Sequence, residues 1–344
     1  LCQKTPSKQA FQLKTNFVAC VFARNFYFLT EKMICFQKKI GNLVLIGFLI
    51  TFFFQPLWGQ KKEQVAALTQ KAEALLEKGH LLAQYEKAVF LGLAYPILDN
   101  QNFKAQLSGF VAYPLDFEKN TNPNYLKNYA WKVIFYNQKK EILFAIQTDT
   151  LQRKVVKEEK TRPLSEQEKR LIELRQKAWE YVYAHKSAGK DKPKRFRFYE
   201  NTALHLVVFD TPQHPKEAGE VWLLTAPLIS GKVIFGNDYH LILDKKMKVK
   251  KVNFLHQNII TIAELGAPSD NGLVTSYHNH SHKSSDFITP TDICTLILYG
   301  KNTNWDTHWV FSEDYVSIFD VKKQTLEIMT RSTWELQYND IPNE

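Results

Sequence analysis

Cysteine is nearly missing from most of this chain. Of its four cysteines, Cys2, Cys20 and Cys35 precede residue 60 and only Cys294 follows, so residues 60–344 can close no disulfide among themselves. Cys294 sits in the apolar run ICTLILYG and reads as a buried, inert thiol. The chain also lacks a G-x-S-x-G elbow, a P-loop and a dinucleotide fingerprint, so the commonest serine-hydrolase, nucleotide-hydrolase and dehydrogenase signatures are not present. No long repeat or low-complexity tract interrupts it. Charge of one sign is scarce as well. The formal net charge is +10, but residues 1–59 hold seven of the 45 basic residues and one of the 35 acidic ones, which leaves +4 for the remainder. That charge is too small and dispersed to indicate a nucleic-acid partner. What is abundant is apolar and aromatic content, 44% and 13%, the composition of a packed globular protein.

The first methionine is Met33, and MICFQKKIGNLVLIGFLITFFFQPLWGQ from there has the order of a secretory signal. Lys38 and Lys39 supply the basic part, Leu43 to Phe54 an apolar core shorter than a membrane span, and Pro56 a break ahead of Gly59. We therefore expect residues 1–32 to be a non-native upstream extension and 33–59 a signal peptide cut near Gly59–Gln60. The mature chain would then be secreted, periplasmic or in the cell envelope, with no membrane span of its own. The alternative is an uncleaved anchor.

Residues 61–92 predict a helix with Val65, Leu68, Ala72, Leu75 and Leu82 along one stripe. KAQLSGFVAYPL, AWKVIFY and EILFAIQT then predict a small antiparallel sheet, with a hairpin turn over Asn137–Lys140. Ser165 and Glu168 form a capping box for a second helix through Leu171, Leu174, Ala178 and Val182. The basic stretch HKSAGKDKPKR (185–195) reads as a surface connection. Four strand-like runs follow: TALHLVVFD, GEVWLLTAPLI, GKVIFGNDYHLILD and VKKVNFLHQNIITI. Beyond them come a strand over 272–277, a helix over 290–300 and strands HWVFS and YVSIFDV. The expected class is α+β: a helical and antiparallel-sheet region over 60–190, then an α/β domain over 191–344 built on a mixed sheet.

His278, His280 and His282 alternate, so on a continuing strand they point to one side. Two histidines so placed form a clip for zinc or a similar cation, and a catalytic site would add a third ligand and leave one position for water. Asp286 and Asp292 are the nearest carboxylates. In TPTD, Thr289 is a good N-cap, Pro290 suits the first helical turn and Asp292 falls at the third position. Asp292 can therefore be a capping residue alone, or a carboxylate returned toward the histidines; the two roles compete. His240 and His256 lie in strand-like runs. His256 can face the site, although a satisfied sheet histidine is the simpler reading.

This H-x-H strand end followed by a helix opening with TPTDI resembles the JAMM motif of JAB/MPN metalloproteins, and is closest to divergent bacterial JAB-like domains. The resemblance covers roughly residues 200–330. It implies zinc held by His278, His280 and Asp292, Thr289 in the place of a serine that steadies the oxyanion, and an upstream glutamate as general base. Glu220, 58 positions ahead of His278, takes that role by spacing; Glu217 is second, and Glu264 lies too close in sequence. Eight residues separate His280 from Thr289 where the family usually has seven, and Ser281-His282 replaces the usual proline, which makes His282 an insertion residue. The activity implied is zinc-dependent hydrolysis of an amide or isopeptide bond in a peptide or protein substrate. The alternative is a non-catalytic envelope binding protein that keeps the fold without the base. Other H-x-H enzymes fit less well: only 64 residues follow His280, too few for an amidohydrolase barrel.

Overall fold

The computed structural model describes residues 44–94, 105–118, 128–158, 162–186, 196–229, 231–256, 258–263, 274–281, 285–303 and 305–338. The expected upstream extension and the basic part of the expected signal segment lie outside these residues, as do His282 and Glu264. Contacts divide the chain into Leu1–Gln64 and Val65–Glu344, and the division falls inside the first helix, α1 (Val44–Leu93). Among the described residues, no helix is long and apolar enough to cross a membrane.

Within the second unit, α1 is buried from Ala72 onward through Leu76, Leu82, Ala83, Tyr85, Ala88 and Val89. The expected stripe starts too early, because Val65 is 64% exposed. Strands β1 (Gly109–Glu118), β2 (Asn128–Tyr136), β3 (Ile142–Thr148) and β4 (Val155–Lys157) form an antiparallel sheet in sequence order. Its β2–β3 turn is the expected one, with the Lys140 amide bonding Asn137 O and Lys140 at φ +61°. Helix α2 (Glu166–Ala184) starts at the Ser165–Glu168 capping box, both halves of which are made.

β5 (Thr202–Asp210), β6 (Glu217–Pro227), β8 (Tyr239–Asp244) and β9 (Val249–Phe254) form a second antiparallel sheet in the order β5-β6-β8-β9. Alternate side chains of the two sheets enter different cores. Val111, Ile134, Leu206, Val208 and Val221 pack with Leu171, Leu174 and Val182 of α2. Ala112, Trp131, Val133, Val207 and Trp222 pack with Leu82, Tyr85 and Val89 of α1. Each core draws on both sides of residue 190, so the packing runs across the boundary expected there. This follows from period-two alternation on strands whose two faces are both covered.

Two runs that read as single strands are each broken. β7 (Lys232–Gly236) leaves the second sheet and pairs antiparallel with β10 (Ile259–Ala263). The break falls at Gly236 and Asn237, with φ +97° and +58°. A Cβ on Gly236 would stand 2.2 Å from Asn258 O, so the close approach of the two chains requires glycine.

The last sheet, in the order β11-β12-β13-β14, holds β11 (Val274–Asn279), β12 (Trp305–Phe311), β13 (Tyr315–Asp320) and β14 (Thr325–Thr330). β11 and β12 are parallel and the other pairs antiparallel, so this sheet is mixed, but the single mixed sheet expected over 191–344 is divided among three sheets. The parallel step needs a crossover, and α3 (Pro290–Tyr299) supplies it. Ile293, Leu296 and Ile288 of that connection bury against Val233, Phe235, Val310 and Phe319. A short helix, α4 (Arg331–Tyr338), closes the chain. The protein is thus mixed α+β, with four sheets and four helices among the described residues.

Candidate metal centre

β11 delivers its histidines by simple alternation. Tyr277 and Asn279 are exposed, while His278 and His280 are buried on the opposite side. The His280 amide bonds Phe311 O at 2.8 Å and so ends the ladder to β12. The chain then turns back to α3, whose first turn is buried from Thr289 to Cys294. Thr289 caps that helix as expected: its hydroxyl accepts from the Asp292 amide at 3.2 Å, and its own amide donates to Asp292 Oδ2 at 2.9 Å. The Thr289 hydroxyl also lies 2.8 Å from that same oxygen.

Capping and the approach to the histidines share one carboxylate. Oδ2 serves the cap and also faces His256 Nε2 at 3.3 Å, whereas Oδ1 is buried and has no hydrogen-bond partner. Oδ1 lies 3.2 Å from Nε2 of His256, a residue placed just past β9 where the chain leaves the second sheet. His256 therefore faces the centre, and the simpler reading of it as a satisfied sheet histidine does not hold. The run around it is two strands rather than one, so alternation along a continuous strand gives no guide to its direction.

His256, His278, His280 and Asp292, all buried, bring one donor atom each within 4.8 Å of the others. His278 Nε2 and His280 Nε2 are 3.0 Å apart, and Asp292 Oδ2 lies 3.5 Å from His280 Nε2 and 3.9 Å from His278 Nε2. Bonds of about 2.0–2.1 Å in a tetrahedral set place donor atoms about 3.3 Å apart, so these separations bracket what one small cation needs. The cluster could hold a metal ion.

The outward nitrogens of His280 and His278 are hydrogen-bonded. His280 Nδ1 meets the carbonyls of Ser285 and Phe287 at 3.1 and 3.0 Å. His278 Nδ1 is 2.8 Å from His308 Nε2, and His308 Nδ1 is 2.7 Å from Ser276 Oγ. His256 Nδ1 makes no hydrogen bond but lies 3.4 Å from Asp238 Oδ2, at ion-pair distance. These surroundings split the protonation of the rings. Burial pushes His278 down to about 4 and His308 down to about 3. Burial acts in the same sense on His256, but Asp292 and Asp238 outweigh it and carry the ring up to about 10. Asp292 is held well below the ordinary carboxylate range because the facing His256 outweighs its burial.

The other expected site residues lie elsewhere. Glu220 accepts from Lys78 Nζ at 2.6 Å and faces His240 Nε2 at 2.8 Å. Burial opposes ionisation of Glu220, but these two partners bring it down to about 2. It stands on β6 five residues before Thr225, whose amide bonds Asp238 Oδ1. Glu217 lies 3.8 Å from His214, and Asp286 is exposed. The cluster thus gathers His278, His280 and Asp292, with Thr289 beside it, adds His256 and leaves Glu220 and Glu217 outside.

No family model matches the chain, and neither the curated proteins nor the solved structures compared with it include a match.

Proposed function

We propose that this chain is an exported zinc-binding protein of JAB-like type whose centre is non-catalytic, as in an envelope binding protein. His256, His278, His280 and Asp292 would hold the metal. The observation that carries the reading is the convergence of three imidazole rings and one carboxylate in a buried cluster. Imidazole with a single carboxylate is a donor set that suits zinc. When bound, zinc would supply a fixed positive charge that links β11, α3 and the end of β9.

Two features favour the non-catalytic role over hydrolysis of an amide or isopeptide bond, the activity that the resemblance implies. Four protein donors complete a tetrahedral set, whereas catalytic zinc sites keep a position for water. Glu220 is already committed to Lys78 and His240, which ties up the carboxylate that the resemblance makes the base. Export rests on the basic and apolar order of residues 38–54. Zinc-loaded protein should leave peptide and isopeptide libraries intact; cleavage that a chelator abolishes would overturn the non-catalytic assignment. The secreted protein should begin near residue 60, and an intact start at Met33 would refute cleavage there.

A further inference from the structure

We propose that Asp238 and His308 are the positioning residues of this centre, fixing Nε2 as the ligating atom of His256 and His278; the inference rests on the metal reading above. A histidine that ligates through Nε2 carries its proton on Nδ1, so the group facing Nδ1 decides whether that tautomer is available. Each histidine here has a different facing group. For His280 it is a pair of main-chain carbonyls, which no substitution removes. For His256 it is the Asp238 carboxylate, and for His278 it is the His308 ring.

Asp238 is held in place from its other side. Its Oδ1 accepts from the Thr225 amide at 2.8 Å, which leaves Oδ2 toward His256. The neighbouring Asn237, at φ +58°, bonds Thr225 Oγ1 at 3.0 Å and Arg197 O at 3.2 Å, so the loop that carries Asp238 is itself fixed. In Asp238→Asn the Thr225 amide would still require the oxygen, and the new NH2 would face His256. That amide donates to Nδ1, drives the proton to Nε2 and blocks the ligating atom while the shape of the site stays the same.

His308 is buried completely and lies flat against Phe235, with ring centroids 4.9 Å apart and planes 10° from parallel. Its Nδ1 lies 2.7 Å from Ser276 Oγ and its Nε2 2.8 Å from His278 Nδ1. With its hydrogen on Nδ1 and Ser276 Oγ accepting, His308 presents Nε2 as the acceptor for His278 Nδ1–H, the tautomer that metal binding through His278 Nε2 requires. His308 would thus position His278 through a ring, whereas Asp238 would position His256 through a carboxylate.

The test titrates the full chain, freed of metal, with Zn2+ and Co2+ against a chromophoric chelator, and records the Co2+ absorption bands. Changes behind a ligating histidine typically weaken metal binding about 10–100-fold. Asp238→Asn should do so for both ions and shift the cobalt bands. His308→Phe should weaken binding similarly, and His308→Gln, whose amide oxygen accepts from His278 Nδ1–H, should restore most of it. Should His308→Phe fail to fold, Asp238→Asn, which keeps both size and the Thr225 bond, carries the test with His308→Gln. Affinities within about twofold of wild type and unchanged bands in Asp238→Asn would overturn the positioning role while leaving the metal reading intact. Failure of His308→Gln to bind better than His308→Phe would remove His308 from the inference. Wild-type protein that binds neither ion would overturn both the inference and the reading beneath it.

Discussion

Both oxygens of Asp292 face His256 Nε2, Oδ1 at 3.2 Å and Oδ2 at 3.3 Å, and Oδ2 also takes the Thr289 amide at 2.9 Å. One side chain thereby starts the helix and faces the histidine cluster. The first turn of α3 is tied to the end of β9, although Asp292 and His256 are 36 positions apart in sequence.

The two roles of Asp292 can be taken apart by substitution. Asp292→Asn keeps an oxygen for the cap but places an amide NH2 against His256, so the protein should fold and lose its metal. Asp292→Ala removes both functions and should add the loss of a cap, about 1 kcal/mol. Melting temperature and zinc content together check this. Full zinc content in Asp292→Asn would show that the carboxylate is only a cap.

Glu220→Gln separates stability from metal binding. The substitution weakens the contacts to Lys78 and His240 and should destabilise the fold by about 1–3 kcal/mol, the range for a hydrogen bond to a charged group. Zinc content should stay at the wild-type level, because Glu220 is no part of the cluster. Denaturant melts and metal analysis on the same samples settle both halves, and a drop in zinc would contradict the placement.

Gly79 is the contact point of α1 on the site helix. A Cβ there would stand 2.5 and 2.6 Å from Ile293 side-chain atoms and 3.0 Å from Pro290 O. Gly79→Ala gains about 1 kcal/mol in helix propensity. Overpacking against the rigid start of α3 costs about 1–3 kcal/mol, so the net effect should be destabilising. A raised melting temperature would show that α1 and α3 can separate freely at this point.

Acid should weaken the protein through Glu168. Burial raises its pKa, but bonds from Arg162, the Ser165 amide and Tyr113 outweigh burial and bring it from 4.5 to about 2. A pKa depressed on folding contributes stability that is present above the unfolded value and lost as pH falls through the folded one. The melting-temperature deficit of Glu168→Gln relative to wild type should therefore be full at neutral pH and close between pH 4.5 and about 2. A deficit that does not change across that window would remove Glu168 from the acid response.

The sequence discloses parts of the centre because local rules govern them. His278 and His280 share a side through alternation, and Thr-x-x-Asp places Asp292 in the first turn of α3. His256 is hidden for a definite reason. VKKVNFLHQNIITI reads as one strand, but β9 and β10 belong to different sheets and His256 stands in the gap. The available signal is in the partner run, where Gly236-Asn237 interrupts an apolar stretch with the residues that tolerate positive φ. The boundary expected near 190 fails to separate two packed units because both faces of each sheet are covered, and a covering helix is not written in any one strand.

Zinc stoichiometry tests the central claim most directly. Purified wild-type chain should carry about one zinc ion per molecule, held by a set of four protein donors. The His278→Ala/His280→Ala double variant should carry almost none. Equal, near-zero zinc in both proteins would contradict the metal centre.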